Sequence, residues 1–317
     1  MDNILIIGCA GQIGSELTVE LRKIYGDSHV IASDIRQPGE EITEGGPFEL
    51  VNVLETQKIA GIVKKYGVTQ IYHLAAILSG NAEKNPLPSW DINMKGLLDI
   101  LEMMRELKVR QLFWPSSIAV FGPSTPQKNT PQQCIMDPNT VYGISKLAGE
   151  RWLAYYKKRY GIDTRSVRYP GLISYKTEAG GGTTDYAVEI YYEAIKNKKY
   201  VCFLKDNTYL PMMFMPDAIK ATIQLMQTDI DKLTCHDSYN VGGMSFCPDD
   251  VFKAIKKHIP DFTISYEPDF RQAIADSWPQ SIEDSVAQKD WGLSYTYNLE
   301  KMTEIMLAEI RKKFNKA

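Results

Sequence analysis

Asn3-Ile-Leu-Ile-Ile-Gly-Cys-Ala-Gly-Gln-Ile-Gly-Ser-Glu-Leu17 is the stretch on which the fold class turns. Residues 3–7 are a near-continuous apolar run without polar alternation, as expected of a strand buried on both faces. Gly8, Gly11 and Gly14 follow, and a helical pattern then continues to about Ile24. Strand, glycine turn and helix in that order suit a pyrophosphate. The glycines allow a tight bend, close backbone approach and close helix–strand packing, while the helix N-terminus offers free N–H groups and partial positive charge. A second strand over residues 29–33 ends at Asp34, twenty residues beyond Gly14. A carboxylate there accepts from both ribose hydroxyls of a dinucleotide and repels a 2′-phosphate, which favours NAD over NADP. Arg36 points the other way, because an arginine accommodates a phosphate.

Working outward, further strand-like runs occupy residues 48–52, 70–76 and 111–114. Helical stretches at about 56–66, 90–107 and 142–160 separate or follow them. This alternation predicts an α/β fold of the Rossmann type, a doubly wound parallel sheet. After Arg168-Tyr-Pro-Gly171 the pattern loosens into a glycine-rich loop, 176–185, a helix to about Lys196, and proline-marked irregular pieces. Tyr239-Asn-Val-Gly-Gly243 looks like one more sheet strand. The expected division is a dinucleotide-binding domain over 1–171 with a returning strand at about 236–245. A smaller interleaved substrate-binding region would comprise 172–235 and 246–317.

Composition narrows the function. The 317 residues carry a formal net charge of −3, 44% hydrophobic and 24% charged residues, a globular balance with no basic excess for nucleic acid. Five cysteines, Cys9, Cys134, Cys202, Cys235 and Cys247, lack any CxxC spacing, so neither a disulfide framework nor a zinc site is expected. His236 and His258 have no partners at metal-like spacing, and no metal is expected. No apolar run approaches the roughly 18 residues of a membrane span. The chain starts on a strand-like segment, so no signal peptide is expected. A cytoplasmic location is the expectation.

Tyr142-Gly-Ile-Ser-Lys146 opens the third long helix, and a spacing of four places phenol and ammonium on one face. A nearby cation favours the phenolate, which then takes a proton from a substrate hydroxyl while the carbon gives up hydride. Ser117, at the end of a strand in Pro115-Ser-Ser-Ile-Ala-Val-Phe-Gly122, stands at the sheet edge where ligands bind and can hold the same oxygen. His73 ends a buried strand, where packing is the simpler role.

Taken in order, these pieces resemble the extended short-chain dehydrogenase/reductase family, the group that contains UDP-galactose 4-epimerase. They are Gly8 to Gly14, Asp34, His73-Leu-Ala-Ala76, Asn93, Ser116-Ser117 with Val120-Phe-Gly122, Tyr142 with Lys146, Arg168-Tyr-Pro-Gly171 and Tyr239-Asn-Val-Gly-Gly243. Asn52-Val53 departs from the Asp-Val usual in the family at the adenine, with the same hydrogen-bonding capacity. The resemblance implies NAD as cofactor, held by Gly8, Gly11, Gln12, Ile13, Gly14, Asp34, Arg36, Asn52, Val53, Leu74, Ala75, Ala76, Asn93, Tyr142, Lys146 and Tyr169. It implies Tyr142, Lys146 and Ser117 as the catalytic set.

Within the family, three further stretches resemble the short-chain L-threonine 3-dehydrogenases. These are Ile77-Leu-Ser-Gly-Asn-Ala-Glu-Lys-Asn-Pro86, Gly180-Gly-Gly-Thr-Thr-Asp-Tyr186, and Asp276-Ser-Trp-Pro-Gln-Ser281 with Asp290-Trp-Gly292. That likeness implies NAD-dependent oxidation of the L-threonine β-hydroxyl to 2-amino-3-ketobutyrate, in a homodimer built on the two helices near 90–107 and 142–160. Under it Ser79, Thr183 and Thr184 offer hydroxyls to the substrate carboxylate, and Trp278 walls off the pocket. Asp185 either meets the ammonium or caps the following helix. Gly180 to Gly182 suit a lid, or else an ordinary surface loop. The competing enzyme is a nucleotide-sugar 4-epimerase or dehydratase, which needs cations for a diphosphate; Arg271 is an isolated candidate. A dehydratase also lacks its acidic pair here, where Ile118 and Ala119 stand. A non-catalytic dinucleotide-binding regulator is the rival outside enzymes, disfavoured by the presence of both Tyr142 and Lys146.

Overall fold

Strand–helix alternation builds a central parallel sheet in the computed structural model, which describes residues 2–316. The first half runs β1 (Ile4–Ile7), α1 (Gln12–Tyr25), β2 (Val30–Asp34), α2 (Glu40–Thr43), β3 (Phe48–Leu50), α3 (Thr56–Tyr66) and β4 (Gln70–His73). Then come α4 (Ser79–Lys84), α5 (Pro86–Trp90), α6 (Gly96–Leu107), β5 (Gln111–Phe113), β6 (Ser116–Ser117), α7 (Val141–Tyr160) and β7 (Asp163–Arg165). The second half has β8 (Val167–Tyr169), β9 (Gly171–Ile173), α8 (Tyr186–Lys196), β10 (Lys199–Cys202), β11 (Leu210–Phe214), α9 (Met215–Gln227) and β12 (Tyr239–Asn240). It closes with β13 (Met244–Phe246), α10 (Pro248–Lys256), β14 (Thr263–Tyr266), α11 (Arg271–Asp276), α12 (Ser285–Trp291) and α13 (Leu299–Lys316).

Six strands pair in the order β3-β2-β1-β4-β5-β7, all parallel. The winding reverses between β1 and β4, and the crevice at their C-terminal ends is where a doubly wound sheet takes its ligand. Alternate residues serve opposite faces. Ile4, Ile6, Tyr72 and Phe113 pack with Leu17 and Leu21 of α1, whereas Leu5, Ile7, Ile71 and Leu112 pack with α3, α6 and α7. Burial on both faces explains the unbroken apolar runs.

Three differences from the sequence reading have local causes. The fourth strand stops at His73 rather than Ala76, because Leu74 and Ala75 N–H both turn onto the Ile7 carbonyl (2.8 and 3.1 Å). The helix expected from Trp90 begins at Pro86, where proline suits a first helical position, and passes through a π-helical turn, Asp91–Lys95, into α6. Helices α9 and α12, assigned to the substrate region, pack instead on the dinucleotide side. Ala218, Ala221 and Leu225 of α9 and Ala287 and Trp291 of α12 share a core with β1 and α1, since their apolar faces complete the sheet's coverage. The remaining core gathers Ile118 to Phe121, α8, β10, β11, α10 and α13 over the C-terminal edge of the strands. β12 joins β8, which pairs in turn with β6.

Candidate active site

A cavity of about 550 Å³ opens at the β1/β4 reversal, walled by the glycine turn, Ser117, Tyr142, Lys146, the 177–185 loop and Trp278. The glycine turn is set by backbone bonds: Gly8 and Cys9 N–H both donate to the Ser33 carbonyl (2.8 and 3.0 Å). Gly8 adopts φ +97°, and a Cβ there would lie 2.7 Å from Ala75 N. At Gly14 a Cβ would come within 2.2 Å of the Gly8 carbonyl oxygen, so helix and strand could not close up. Helix α1 starts with neither a capping side chain nor an acidic residue in its first turn, leaving its N–H groups for an anion. This cradle fits a dinucleotide pyrophosphate.

Asp34 stands beside the cradle, its Oδ2 accepting from Ala10 N–H (2.9 Å) and Oδ1 from Arg36 N–H (3.2 Å). A carboxylate has about four acceptor sites, so capacity remains for ribose hydroxyls. The Arg36 guanidinium donates to the Ala10 carbonyl (3.2 Å) and lines the cavity. Gln12, Ile13, Leu74 and Ala76 line it as well. Tyr169 does so with its hydroxyl turned away onto Thr222. Asp34, Asn52, Val53, Ala75 and Asn93 lie behind or beyond this wall. Asn52 Oδ1 is taken by Leu54 N–H (3.0 Å), and Asn93 exchanges two hydrogen bonds with the Ile77 backbone (2.8 and 3.1 Å), fixing the segment after β4.

Thr140 caps α7 by accepting from Gly143 N–H (3.0 Å), which presents Tyr142 and Lys146 to the cavity floor. Lys146 is 1% exposed; its Nζ donates to the Pro115 carbonyl (2.6 Å) and lies 4.1 Å from the Trp114 ring centroid. Burial pulls this amine down to about 7, the Glu150 carboxylate acting against it. Burial pushes the Tyr142 phenol up to about 12, and a hydrogen bond with Ser117 pulls the other way. Acidification of the phenol by Lys146, expected from spacing alone, is thus not what these residues produce by themselves. The ammonium turns to Pro115 and Trp114, and desolvation favours the neutral form of both groups. His73, 0% exposed with both ring nitrogens unpartnered, is pulled down to about 3 by burial and the Lys146 charge.

Opposite Tyr142 the 177–185 loop is folded onto α4. Ser79 and Thr183 hydroxyls meet at 3.2 Å, Asn81 Nδ2 donates to Gly180 O (3.3 Å), and a Cβ on Gly80 would lie 2.6 Å from Gly181 O. Asp185 precedes α8 yet makes no capping bond to it, so the capping alternative gives way. Its Oδ2 accepts from Gly181 and Gly182 N–H instead (2.7 Å each), because the tight glycine turn swings those amides toward it. Burial raises this carboxyl while the Gly182, Gly181 and Gly180 amides oppose the shift. Thr184 packs against Gly171, and Trp278 is 5% exposed. Arg271 is spent elsewhere, stacked on Phe203 and bidentate to Asp269.

One element went unread in the sequence. Glu150 and Arg168, 0% and 1% exposed at their side chains, form a bidentate pair (2.9 and 2.8 Å), and Ser116 donates to the same carboxylate. Arg168 also donates to Gln132 O and Asn240 Oδ1 (3.0 Å each). The available signal was a glutamate four residues after Lys146, on the same face of α7.

Residues 4–242 match the model of the NAD dependent epimerase/dehydratase family. Across 99% of both chains, the sequence is 49% identical to an uncharacterized epimerase/dehydratase from Staphylococcus haemolyticus. A partial consensus L-threonine 3-dehydrogenase superposes with a TM-score of 0.96 at 52% identity, over 98% of this chain and 99% of that one. The L-threonine dehydrogenase of Clostridium difficile gives 0.95 at 48% identity, over 99% and 98%.

Proposed function

Given that the chain belongs to the NAD-dependent epimerase/dehydratase family, with NAD as its cofactor, we propose that it oxidises L-threonine at the β-hydroxyl to 2-amino-3-ketobutyrate. The wall facing Tyr142 carries this reading. It offers the hydroxyls of Ser79, Thr183 and Thr184, the carboxylate of Asp185 and the indole of Trp278. Among the described residues the only cations lining the cavity are Arg36 and Lys146, both on the cofactor side. Hydroxyls and one buried anion suit a small zwitterion; a sugar diphosphate would find nothing there to neutralise it. Solved relatives named as threonine dehydrogenases, at about half identity over nearly the full chain, support the same substrate.

Bound NAD supplies the acceptor for the electron pair leaving the β-carbon. Tyr142 takes the hydroxyl proton, Ser117 holds that oxygen, and Lys146 stabilises the resulting phenolate and grips the nicotinamide ribose. Asp185 pairs with the ammonium, and Trp278 with the folded lid excludes water, which strengthens each of these interactions. The exposed aromatic row Trp152, Tyr155 and Tyr160 on α7, 40–48% exposed, would be covered in a homodimer built on α6 and α7. No helix among the described residues is long and apolar enough to cross a membrane.

The deciding experiment offers L-threonine, simple 2-hydroxy acids and UDP-glucose in turn, following NADH absorbance for oxidation and UDP-galactose formation for epimerisation, which leaves no net NADH. Turnover of threonine alone is expected. Tyr142→Phe should lower kcat by roughly 10²–10⁴-fold with NAD affinity unchanged. Epimerisation of UDP-glucose without threonine oxidation, or full activity in the Phe variant, overturns the reading.

A further inference from the structure

A lysine 1% exposed has lost nearly all its water and needs substitutes. Lys146 has one hydrogen bond, to the Pro115 carbonyl (2.6 Å), and no carboxylate among the described residues within ion-pair distance. Charged and titratable groups around it are few. Glu150, one turn along α7, is occupied by Arg168 of β8 and by Ser116. His73 at the end of β4 is neutral, and the Tyr142 ring centroid lies 5.4 Å away. What fills the remaining side is the indole of Trp114, 2% exposed, with its centroid 4.1 Å from Nζ.

Two features fix that indole independently of the lysine. Its backbone N–H donates to Arg165 O on β7 (3.0 Å), continuing the sheet beyond β5. On α7, Gly149 makes room for the ring: a Cβ there would lie 2.3 Å from Trp114 Cη2 and 2.8 Å from Cζ2. The helix that carries Lys146 therefore omits a side chain three residues later so that the ring can lie against bare backbone and face the amine.

We propose that Trp114 is a positioning residue for the catalytic lysine. Its indole face, seated on Gly149, holds the Lys146 ammonium on the Pro115 carbonyl at the cavity floor, ready for the cofactor ribose. An indole offers the strongest π-face among side chains, and the attraction grows when water is excluded. An aliphatic residue of similar size would fill the space without stabilising the charge. The role rests on the place given to Lys146 in the proposed reaction, but its test needs no threonine.

Trp114 alone, of five tryptophans, is replaced by a series of progressively fluorinated tryptophans. These keep the ring's shape while draining its negative face. In the NAD-loaded enzyme the titration of Lys146 is read by NMR of isotopically labelled lysine, and NAD affinity by calorimetry. Each added fluorine should lower the pH at which Lys146 titrates, reaching about tenfold weaker proton affinity at full fluorination, with NAD affinity falling in step. A titration unmoved across the series overturns the proposal, since packing alone does not respond to fluorine count. If threonine turns out not to be the substrate, both readouts remain interpretable, so the two failures are distinguishable.

Discussion

Replacing Arg168 by methionine removes the guanidinium that satisfies Glu150, in a pair whose side chains are 1% and 0% exposed. Glu150 keeps its bond from Ser116 but is left as a buried, uncompensated charge, and Gln132 O and Asn240 Oδ1 each lose a donor. Breaking a buried pair from one side costs about 3–5 kcal/mol, and two orphaned acceptors place the loss toward the upper end. At about 2.1 cal/mol/K per residue, the unfolding entropy of 317 residues turns about 5 kcal/mol into a fall in Tm of about 7 °C. Adding Glu150→Leu to Arg168→Met removes the stranded charge and should restore at least half of that loss. A second readout concerns the site. Glu150 already raises Lys146 against the pull of burial, so without Arg168 beside it the carboxylate acts unopposed and Lys146 should titrate higher than in the parent. Urea unfolding at fixed pH gives the first quantity and lysine NMR the second. A single variant within about 1 kcal/mol of the parent, or a double variant less stable than the single, refutes the reasoning.

At Gly14, alanine would put a methyl 2.2 Å from the Gly8 carbonyl; calorimetry should show NAD binding lost and stability lowered by about 1–3 kcal/mol, while Gly39→Ala, in open space, serves as the neutral control. Asp34→Ala deletes the acceptor of Ala10 N–H and should weaken NAD by about tenfold or more while narrowing its advantage over NADP; a parent enzyme that prefers NADP contradicts the assignment. Burial holds His73 near 3 against 6.5 for a free imidazole, so its contribution is fully present above about pH 6.5. It is lost as pH falls toward 3, because the unfolded chain takes up a proton that the folded chain does not, at about 1.4 kcal/mol per pH unit. In the His73→Phe variant the fall of stability between pH 6.5 and 5 should be shallower by one proton, and equal slopes would remove the assignment.

The central sheet was legible because burial on both faces writes itself as uninterrupted apolar runs, as in Ile4–Ile7. The cradle was legible for a similar reason: Gly8 and Gly14 answer to backbone clashes of 2.2–2.7 Å that no other residue escapes. Boundaries depended on partners distant in sequence. Nothing in Leu74-Ala-Ala76 says that two amides will turn to the Ile7 carbonyl, and nothing in residues 215–227 says which side of the sheet lacks cover. Asp185 was ambiguous for a related reason. A carboxylate just before a helix caps it by default, and only the folded glycine turn shows two loop amides closer at hand. The Glu150–Arg168 pair escaped because its members lie eighteen residues apart on different elements, and neither carries a motif that announces the other.

Under the proposed reaction, the 177–185 loop and the buried Tyr142–Lys146 pair serve one electrostatic requirement. With the phenol near 12 and the amine near 7, drawing the phenol down to neutrality calls for about 7 kcal/mol of favourable interaction. An amine that is itself only about half charged at pH 7 supplies part of that; the rest has to come from positive charge brought beside Tyr142 with the cofactor. Such interactions reach this size only where water is kept out, since in bulk water two charges at 4 Å are worth about 1 kcal/mol. Ser79 against Thr183 and Asp185 on Gly181 and Gly182 fold the 177–185 loop against this side of the cavity. Under the proposed reaction, the contacts at the substrate end also lower the dielectric around Tyr142. Loosening the 177–185 loop should then impair the proposed proton transfer as well as substrate binding.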